Sequence, residues 1–194
     1  MVHQTGVREP VGSSLMRYCS QCGKPVVLKV PPGETVLRFV CEACQTVHYQ
    51  NPKIVAGCIP EWEGKILLCR RAIEPRLGLW TFPAGFMELD ETTEEAAARE
   101  TLEEAKAKVE ITSLYAVFSL VRVNQVYVIF RGNMRSPDFG VGHESSDAQL
   151  FSRDKIPWES LAFPVIHETL KRYVEDLQRG RFDVHFGVVS LMVK

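Results

Sequence analysis

The sequence has no apolar run approaching the roughly 18 residues that a membrane-crossing helix needs. It also has no excess of either charge: 23 lysines and arginines stand against 24 aspartates and glutamates, for a net charge of −1. The first absence excludes a helical membrane span, so no membrane partner is expected. The second removes the basic footprint of non-specific nucleic-acid binding, so a nucleic-acid partner is not expected either. Residues 1–18 lack an apolar stretch and contain Arg8 and Glu9. They do not read as a secretory signal, although the same reasoning leaves an organellar transit segment open. Internal repeats and low-complexity segments are also missing. Cysteine is scarce outside two paired units: Cys58 and Cys69 stand alone inside apolar runs, which fits a reducing compartment better than a disulfide framework. A cytoplasmic location is expected, with an organellar stroma left open.

What is present is ordinary for a globular chain. Of 194 residues, 45% are hydrophobic and 24% are charged, enough for one sizeable domain with a small appendage. Residues 1–16 have no periodicity and read as a disordered or extended lead-in. Cys19 and Cys22, then Cys41 and Cys44, form two CxxC pairs with eighteen residues between them. That is the spacing of a structural zinc site in which four thiolates hold one tetrahedral ion. Between the pairs, Val26–Val30 and Val36–Val40 read as strands, joined by a turn at residues 31–34. Two disulfides or a redox pair are the competing readings; the reducing signs and the lack of a βαβ context weigh against them. Residues 17–50 therefore read as a small ribbon whose folding depends on metal.

Residues 51–180 read as the main domain. Lys53–Pro60 and Lys65–Arg71 are strand-like, joined at residues 61–64. Residues 72–84 read as a loop with Pro75, Gly78 and Pro83. Thr92 and Glu95 form a capping box that starts a helix, and Ala96, Ala97 and Ala98 propagate it. Ala97, Ala98, Thr101, Leu102 and Ala105 are read as its packing face, with Glu100, Glu103 and Glu104 on roughly the opposite side within an arc of about 100°. Like charges at that spacing repel by roughly 0.2–0.5 kcal/mol per pair, and no lysine or arginine alternates along the face. Three converging carboxylates suit a hard divalent cation; a solvated acidic face presents the same pattern.

After the helix, residues 109–112, 115–123 and 126–133 are β-branched and aromatic, and read as strands. Residues 134–149 read as a polar loop carrying Asp138, His143, Glu144 and Asp147, a place where a catalytic base is often found. Residues 150–152 read as a last strand. Pro164–Gln178 reads as a helix with Pro164 in its first turn and Gly180 as its stop. Residues 181–194 read as a tail that either caps the fold or reaches a second subunit. Arg70 and Arg71 at a strand end are either a cationic clamp for a diphosphate or exposed solubilising charges. Trp80, Phe82, Phe118 and Tyr127 could stack on a base, although such residues are more often core.

The pattern Gly85, Glu91, Arg99-Glu100, Glu103-Glu104, approached through GLWTFPAGFMELDET, resembles the Nudix box, the signature of Nudix hydrolases. Two positions depart from it: Thr101 replaces an aliphatic residue, and Lys106 replaces the glycine that closes the helix. Neither is a ligand position. The resemblance covers about residues 53–179. It implies an α/β fold, the Nudix α/β/α sandwich with a mixed sheet, here preceded by the four-cysteine zinc ribbon. It implies Mg2+- or Mn2+-dependent hydrolysis of a nucleoside diphosphate linked to another group. Glu100, Glu103 and Glu104 would hold the catalytic metal, helped by the Ala84 or Gly85 carbonyl. Glu91 and Arg99 would form a structural ion pair. Glu144 is the first candidate for the base and Asp147 the second, and Arg70, Arg71, Phe82 and Ala84 are candidates for binding substrate. HYQNPKIVAGC and DKIPWESLAFPVIHETL look closest to the plant-plastid type FAD and ADP-ribose diphosphatases. The NADH diphosphatase and NAD-cap removing group is the alternative, but its Ser-Gln-Pro-Trp-Pro-Phe-Pro element is missing. A non-catalytic nucleotide-binding module is a third reading, and a homodimer is left open.

Overall fold

Side-chain alternation decides which face of a strand each residue takes, and in this chain it builds two separate cores on one sheet. The structure is a computed structural model and describes residues 16–190. The expected lead-in at residues 1–15, and Leu191, Met192 and Val193 of the tail, lie outside the described residues. The chain divides between Pro52 and Lys53 into two compact units.

The first unit is a three-stranded antiparallel ribbon: β1 (Val27–Lys29), β2 (Arg38–Val40) and β3 (Val47–His48). The two expected strands are shorter than their apolar runs, and β3 was not expected. Its sequence gives little signal because only two residues pair, Val47 with Val40 and His48 with Phe39. Each CxxC is followed by a residue with left-handed backbone, Gly23 at φ 71° and Gln45 at φ 61°, so both knuckles turn the same way. Backbone N–H groups of Cys19 and Cys41 donate to Lys24 and Thr46 carbonyls at 2.7 and 2.9 Å, closing the two loops.

The second unit carries β4 (Lys53–Trp62), β5 (Lys65–Arg71), β6 (Trp80–Thr81), β7 (Ala84–Phe86), α1 (Thr93–Ala105), β8 (Val109–Leu120), β9 (Gln125–Met134), β10 (Ser145–Ser152), α2 (Pro164–Arg179) and β11 (His185–Val188). The sheet order is β10-β5-β4-β9-β8-β11, with β6 on β5 and β7 on β4. It is mixed: β4 and β9 run parallel, as do β8 and β11, and the other pairs are antiparallel. Val55, Ile59, Ile66, Leu68, Tyr127 and Ile129 face the same core as Val165, Ile166, Leu170 and Tyr173 of α2. Their neighbours Ala56, Cys58, Leu67, Cys69 and Phe130 face the other core, against Ala96, Ala97 and Ala105 of α1. The result is the expected α/β/α sandwich with a mixed sheet.

Several boundaries differ from the reading of the sequence, each for a physical reason. Within the expected 72–84 loop, Trp80, Thr81 and Ala84 are strand residues. The β4–β5 hairpin pairs only at Glu61–Ile66 and Trp62–Lys65 and then forks. β6 joins one prong and β7 the other, so the fork is closed by short strands too brief to show a period. Residues 109–120 form one strand with two register shifts, and residues 121–123 are a 3-10 turn. Ser145–Gln149 already pair with β5, so Asp147 sits in a strand rather than a loop. Lys106 does adopt the left-handed cap, at φ 52°, which costs an L-residue roughly 1–2 kcal/mol. The 135–144 loop offsets this, since Gly140 and Gly142 donate to the last helix carbonyls, Ala105 and Glu104, at 2.7 and 3.0 Å.

Of the tail, the described residues reach the sheet edge, where residues 185–188 form β11. β11 pairs with β8 from His185–Ala116 to Val188–Ser119. Arg172 stands 3.4 Å from Nδ1 of His185 and, having only donors, makes that nitrogen the acceptor. Nε2–H of His185 is then free to donate to buried Asp176 at 2.7 Å, which also accepts from the Tyr115 hydroxyl at 3.0 Å.

Candidate active site

The site is assembled where the hairpin forks. The capping box fixes the start of α1: Glu95 N–H donates to Thr92 Oγ1 at 3.1 Å, and Thr92 N–H to Glu95 Oε2 at 2.8 Å. Ala96, Ala97 and Ala105 are fully buried. Methyl groups at those contacts let the helix backbone lie close to β4 and β7. Glu100 and Glu104 are carried down with it, to 9% and 7% exposure. This corrects the expected split of faces. At 100° per residue Glu104 projects within about 20° of Ala97, so two of the three acids belong to the buried face. Leu102, read as packing, is 43% exposed. Glu103 alone points largely to solvent, with 57% of its side chain accessible.

Gly85 on β7 makes room for this descent. A Cβ there would lie 2.3 Å from the Glu100 carboxyl carbon, well inside contact distance. Gly142 plays a similar part at the other end of α1. A Cβ there would fall 1.8 Å from the Glu103 carbonyl oxygen, so only glycine lets the 135–144 loop reach the helix terminus. That contact places Glu144 beside the acids, and it was not read from the sequence. The two glycines spaced two apart in a polar loop were its only signal.

A cation does serve the acidic face. Arg99 Nε and Nη2 hold Glu91 at 3.0 and 2.8 Å, while Nη1 reaches Glu100 at 2.7 Å and Glu103 at 3.2 Å. Nη2 also donates to the Phe86 carbonyl at 3.1 Å, which ties the helix to β7. The spacing of Arg99 and Glu103, four residues apart, was the signal for that pair, and the expectation of a face without a cation missed it. The guanidinium holds the Glu91 carboxyl well below its usual range, at about 2. Burial pushes the Glu104 carboxyl up to about 8, and the negative charge of Glu100 adds to this. Glu104 Oε2 is buried with no hydrogen-bond partner among the described residues. An orphaned buried acceptor costs about 1–3 kcal/mol, and more when charged.

These groups line a cavity of about 970 Å3, at the upper end of the range for small-molecule sites. Glu100, Glu103, Glu104, Arg99, Ala84 and Gly85 lie at one side of it, and Glu144, His143 and Arg71 also line it. Arg71 is held by its Nε bond to the Pro75 carbonyl at 2.8 Å and lies 5.2 Å over the Phe163 ring. Arg70 does not line the cavity, because its Nε is turned away to the Gly78 carbonyl at 2.8 Å. Asp147 likewise spends its oxygens on Ala148 N–H and the Gln149 amide, both at 2.8 Å. Phe82 is fully buried and Phe118 nearly so, both in the core under α2, which removes them as stacking surfaces. Trp80 packs edge-on against Phe151 at 5.0 Å. Of the four aromatics considered, Tyr127 alone reaches the cavity.

In the ribbon, Sγ of Cys19, Cys22, Cys41 and Cys44 all lie within 4.8 Å of one another. The shortest pairs, Cys22–Cys41 at 3.5 Å and Cys19–Cys44 at 3.6 Å, are far too long for disulfides and near the roughly 3.8 Å edge of a zinc–thiolate tetrahedron.

Residues 51–173 match the NUDIX domain family. The chain belongs to the Nudix family. Residues 17–50 match the Nudix N-terminal zinc-ribbon module, in keeping with the four-cysteine cluster. A NUDIX hydrolase from Nitrosomonas europaea superposes with a TM-score of 0.88 at 54% identity, over 90% of this chain and 99% of that one. An ADP-ribose pyrophosphatase from Methanocaldococcus jannaschii is 31% identical over 137 residues, 69% of this chain and 77% of its own length. A NAD-capped RNA hydrolase from Vibrio atlanticus is 28% identical over 171 residues, 85% of this chain but only 60% of its own length. The protein is thus a Nudix pyrophosphohydrolase. No helix among the described residues is long and apolar enough to cross a membrane.

Proposed function

We propose that this Nudix enzyme splits the diphosphate of a nucleoside diphosphate linked to a second group, with ADP-ribose first and FAD beside it. In that reaction water adds its oxygen to one phosphorus and the bridging oxygen leaves with the other. ADP-ribose then gives AMP and ribose 5-phosphate, and FAD gives AMP and FMN. The observation that carries the reading is the unpartnered, buried Glu104 oxygen beside Glu100 in a cavity also lined by Glu103 and Glu144. A set of hard oxygen donors with one acceptor left open fits Mg2+ or Mn2+. Glu100, Glu103 and Glu104 would hold it, with the backbone at Ala84–Gly85 alongside. When bound, such an ion neutralises diphosphate oxygens and lowers the pKa of a coordinated water.

The chain's own groups do the rest. Arg71, fixed against Phe163 and the Pro75 carbonyl, offers its charge to the diphosphate. Glu144 is the base that takes the proton from water, since it lines the cavity and its charge is felt at both Glu100 and Glu104. Arg99 braces Glu100 and Glu103 and ties them to Glu91. The ribbon would hold one zinc ion through Cys19, Cys22, Cys41 and Cys44; four thiolates would leave it no open position, so its part would be structural.

NADH or the NAD cap of an RNA is the second reading, favoured by the match to the Vibrio atlanticus protein that spans 85% of this chain. Turnover of ADP-ribose, FAD and NADH with and without Mg2+, with products identified by chromatography, separates the readings. The expected result is Mg2+-dependent AMP release from ADP-ribose or FAD in preference to NADH. No turnover of any of the three would overturn the proposal.

A further inference from the structure

The cavity has two chemically different ends, and only the acidic one is used by the reaction described above. At the other end the sheet supplies Val55, Leu120, Gln125 and Tyr127, and the start of α2 supplies Phe163 and Pro164. Gln125 and Tyr127 are alternate residues on β9, so both project from one face about 7 Å apart. Val55 lies beside Tyr127 on β4, and Leu120 lies opposite Gln125 on β8. These neighbours make an apolar floor, with Val55 at 5% and Leu120 at 3% exposure. Among the lining side chains of this end, polar atoms come from the Gln125 amide and the Tyr127 hydroxyl. Neither is bonded to any side chain or backbone group among the described residues. Arg71 links the two ends: it lines the cavity 5.2 Å over the Phe163 ring, and its charge acts on Glu104.

A nucleoside diphosphate has the same polarity, an anionic diphosphate joined through ribose to a flat apolar ring with a hydrogen-bonding edge. We infer that the apolar end is the base subsite, and that Gln125 reads adenine by accepting from its 6-amino group and donating to the adjacent ring nitrogen. A glutamine amide offers one acceptor and one donor side by side, the match that glutamine makes with adenine edges elsewhere. The ring lies on Val55 and Leu120 under Phe163, which is the burial that binds it; the amide supplies the choice of base. The inference rests on the substrate class proposed above, which supplies the diphosphate anchor at Arg71 and the acids.

Calorimetry on the full chain tests it with AMP, with purine riboside 5′-monophosphate, which lacks the 6-amino group, and with ribose 5-phosphate, which lacks the base. The wild-type protein is expected to bind AMP about tenfold or more tightly than purine riboside monophosphate. Gln125→Leu is expected to bind the two alike, with its affinity for ribose 5-phosphate retained as the check on folding. Gln125→Glu, which keeps the acceptor and loses the donor, is expected to fall between them. Equal losses for all three ligands, or AMP binding unchanged in Gln125→Leu, would overturn the inference, as would a wild-type protein that does not bind AMP. ADP-ribose turnover is read on the same samples. Turnover without the amide–amino coupling would overturn this inference alone, and coupling without turnover would overturn the proposed reaction while the base subsite stands.

Discussion

The Glu100 carboxylate occupies the place where a side chain on Gly85 would begin, 2.3 Å from the position of a Cβ. Strand β7 and helix α1 are therefore fitted closely to each other there, and the group at that contact is an acid of the site. Gly85→Ala is expected to displace the Glu100 carboxylate. A shift of about 1 Å at a catalytic group commonly costs on the order of 100-fold in rate. Steady-state kinetics with Mg2+ checks this, alongside a melting curve showing a folded variant. A variant with normal kcat would show that Glu100 has room to move.

Glu91 carries a pH prediction whose sign is set by its carboxyl, held at about 2 against an ordinary value of 4.5. A depressed acid binds fewer protons in the folded than in the unfolded chain between those values. Its contribution to stability is complete above pH 4.5 and fades as pH falls toward 2. Glu91→Gln should thus unfold at lower urea concentration than wild type at pH 7. The gap should narrow steadily below pH 4.5, and a gap independent of pH would contradict the Arg99–Glu91 account.

Much of this was legible in the sequence where a feature is both local and periodic. The Thr92–Glu95 box and the alanines marked α1 at both ends of its first turns. Pro164 in the first turn and Gly180 after the last marked α2. What could not be read is what depends on pairing at a distance. Two residues of β3, two of β6 and three of β7 are strands only because β2, β5 and β4 lie beside them. The packing of Phe82 and Phe118 beneath α2, and the turning away of Arg70 to Gly78, are tertiary outcomes with no trace in spacing. Lys106 shows the converse. Its residue type argues against a left-handed cap, yet the loop that bonds Ala105 and Glu104 imposes one.

The ribbon should carry one equivalent of zinc in the purified protein, measured by metal analysis. Cys41→Ser, at a fully buried ligand position, is expected to abolish zinc retention and to open the ribbon to proteolysis, since metal and folding are coupled in so small a unit. Zinc-free protein with its four thiols oxidised in pairs would contradict the assignment.

Glu144 and Asp147 can be separated directly. Glu144 lines the cavity, whereas both oxygens of Asp147 are occupied along β10. Glu144→Gln is expected to lower kcat by roughly 10²–10⁴, the usual range for loss of a general base. Asp147→Asn should leave kcat within about threefold of wild type, because Asp147 makes no contact with the cavity. Reversal of that order would move the base to β10.

The most direct test is a Mn2+ titration followed by electron paramagnetic resonance, comparing wild type with Glu104→Gln. The wild-type protein is expected to bind Mn2+, and the variant, folded to the same melting point or higher, to bind it at least about tenfold more weakly. Equal affinity in the two proteins would contradict the central claim that α1 carboxylates grip the metal against the diphosphate.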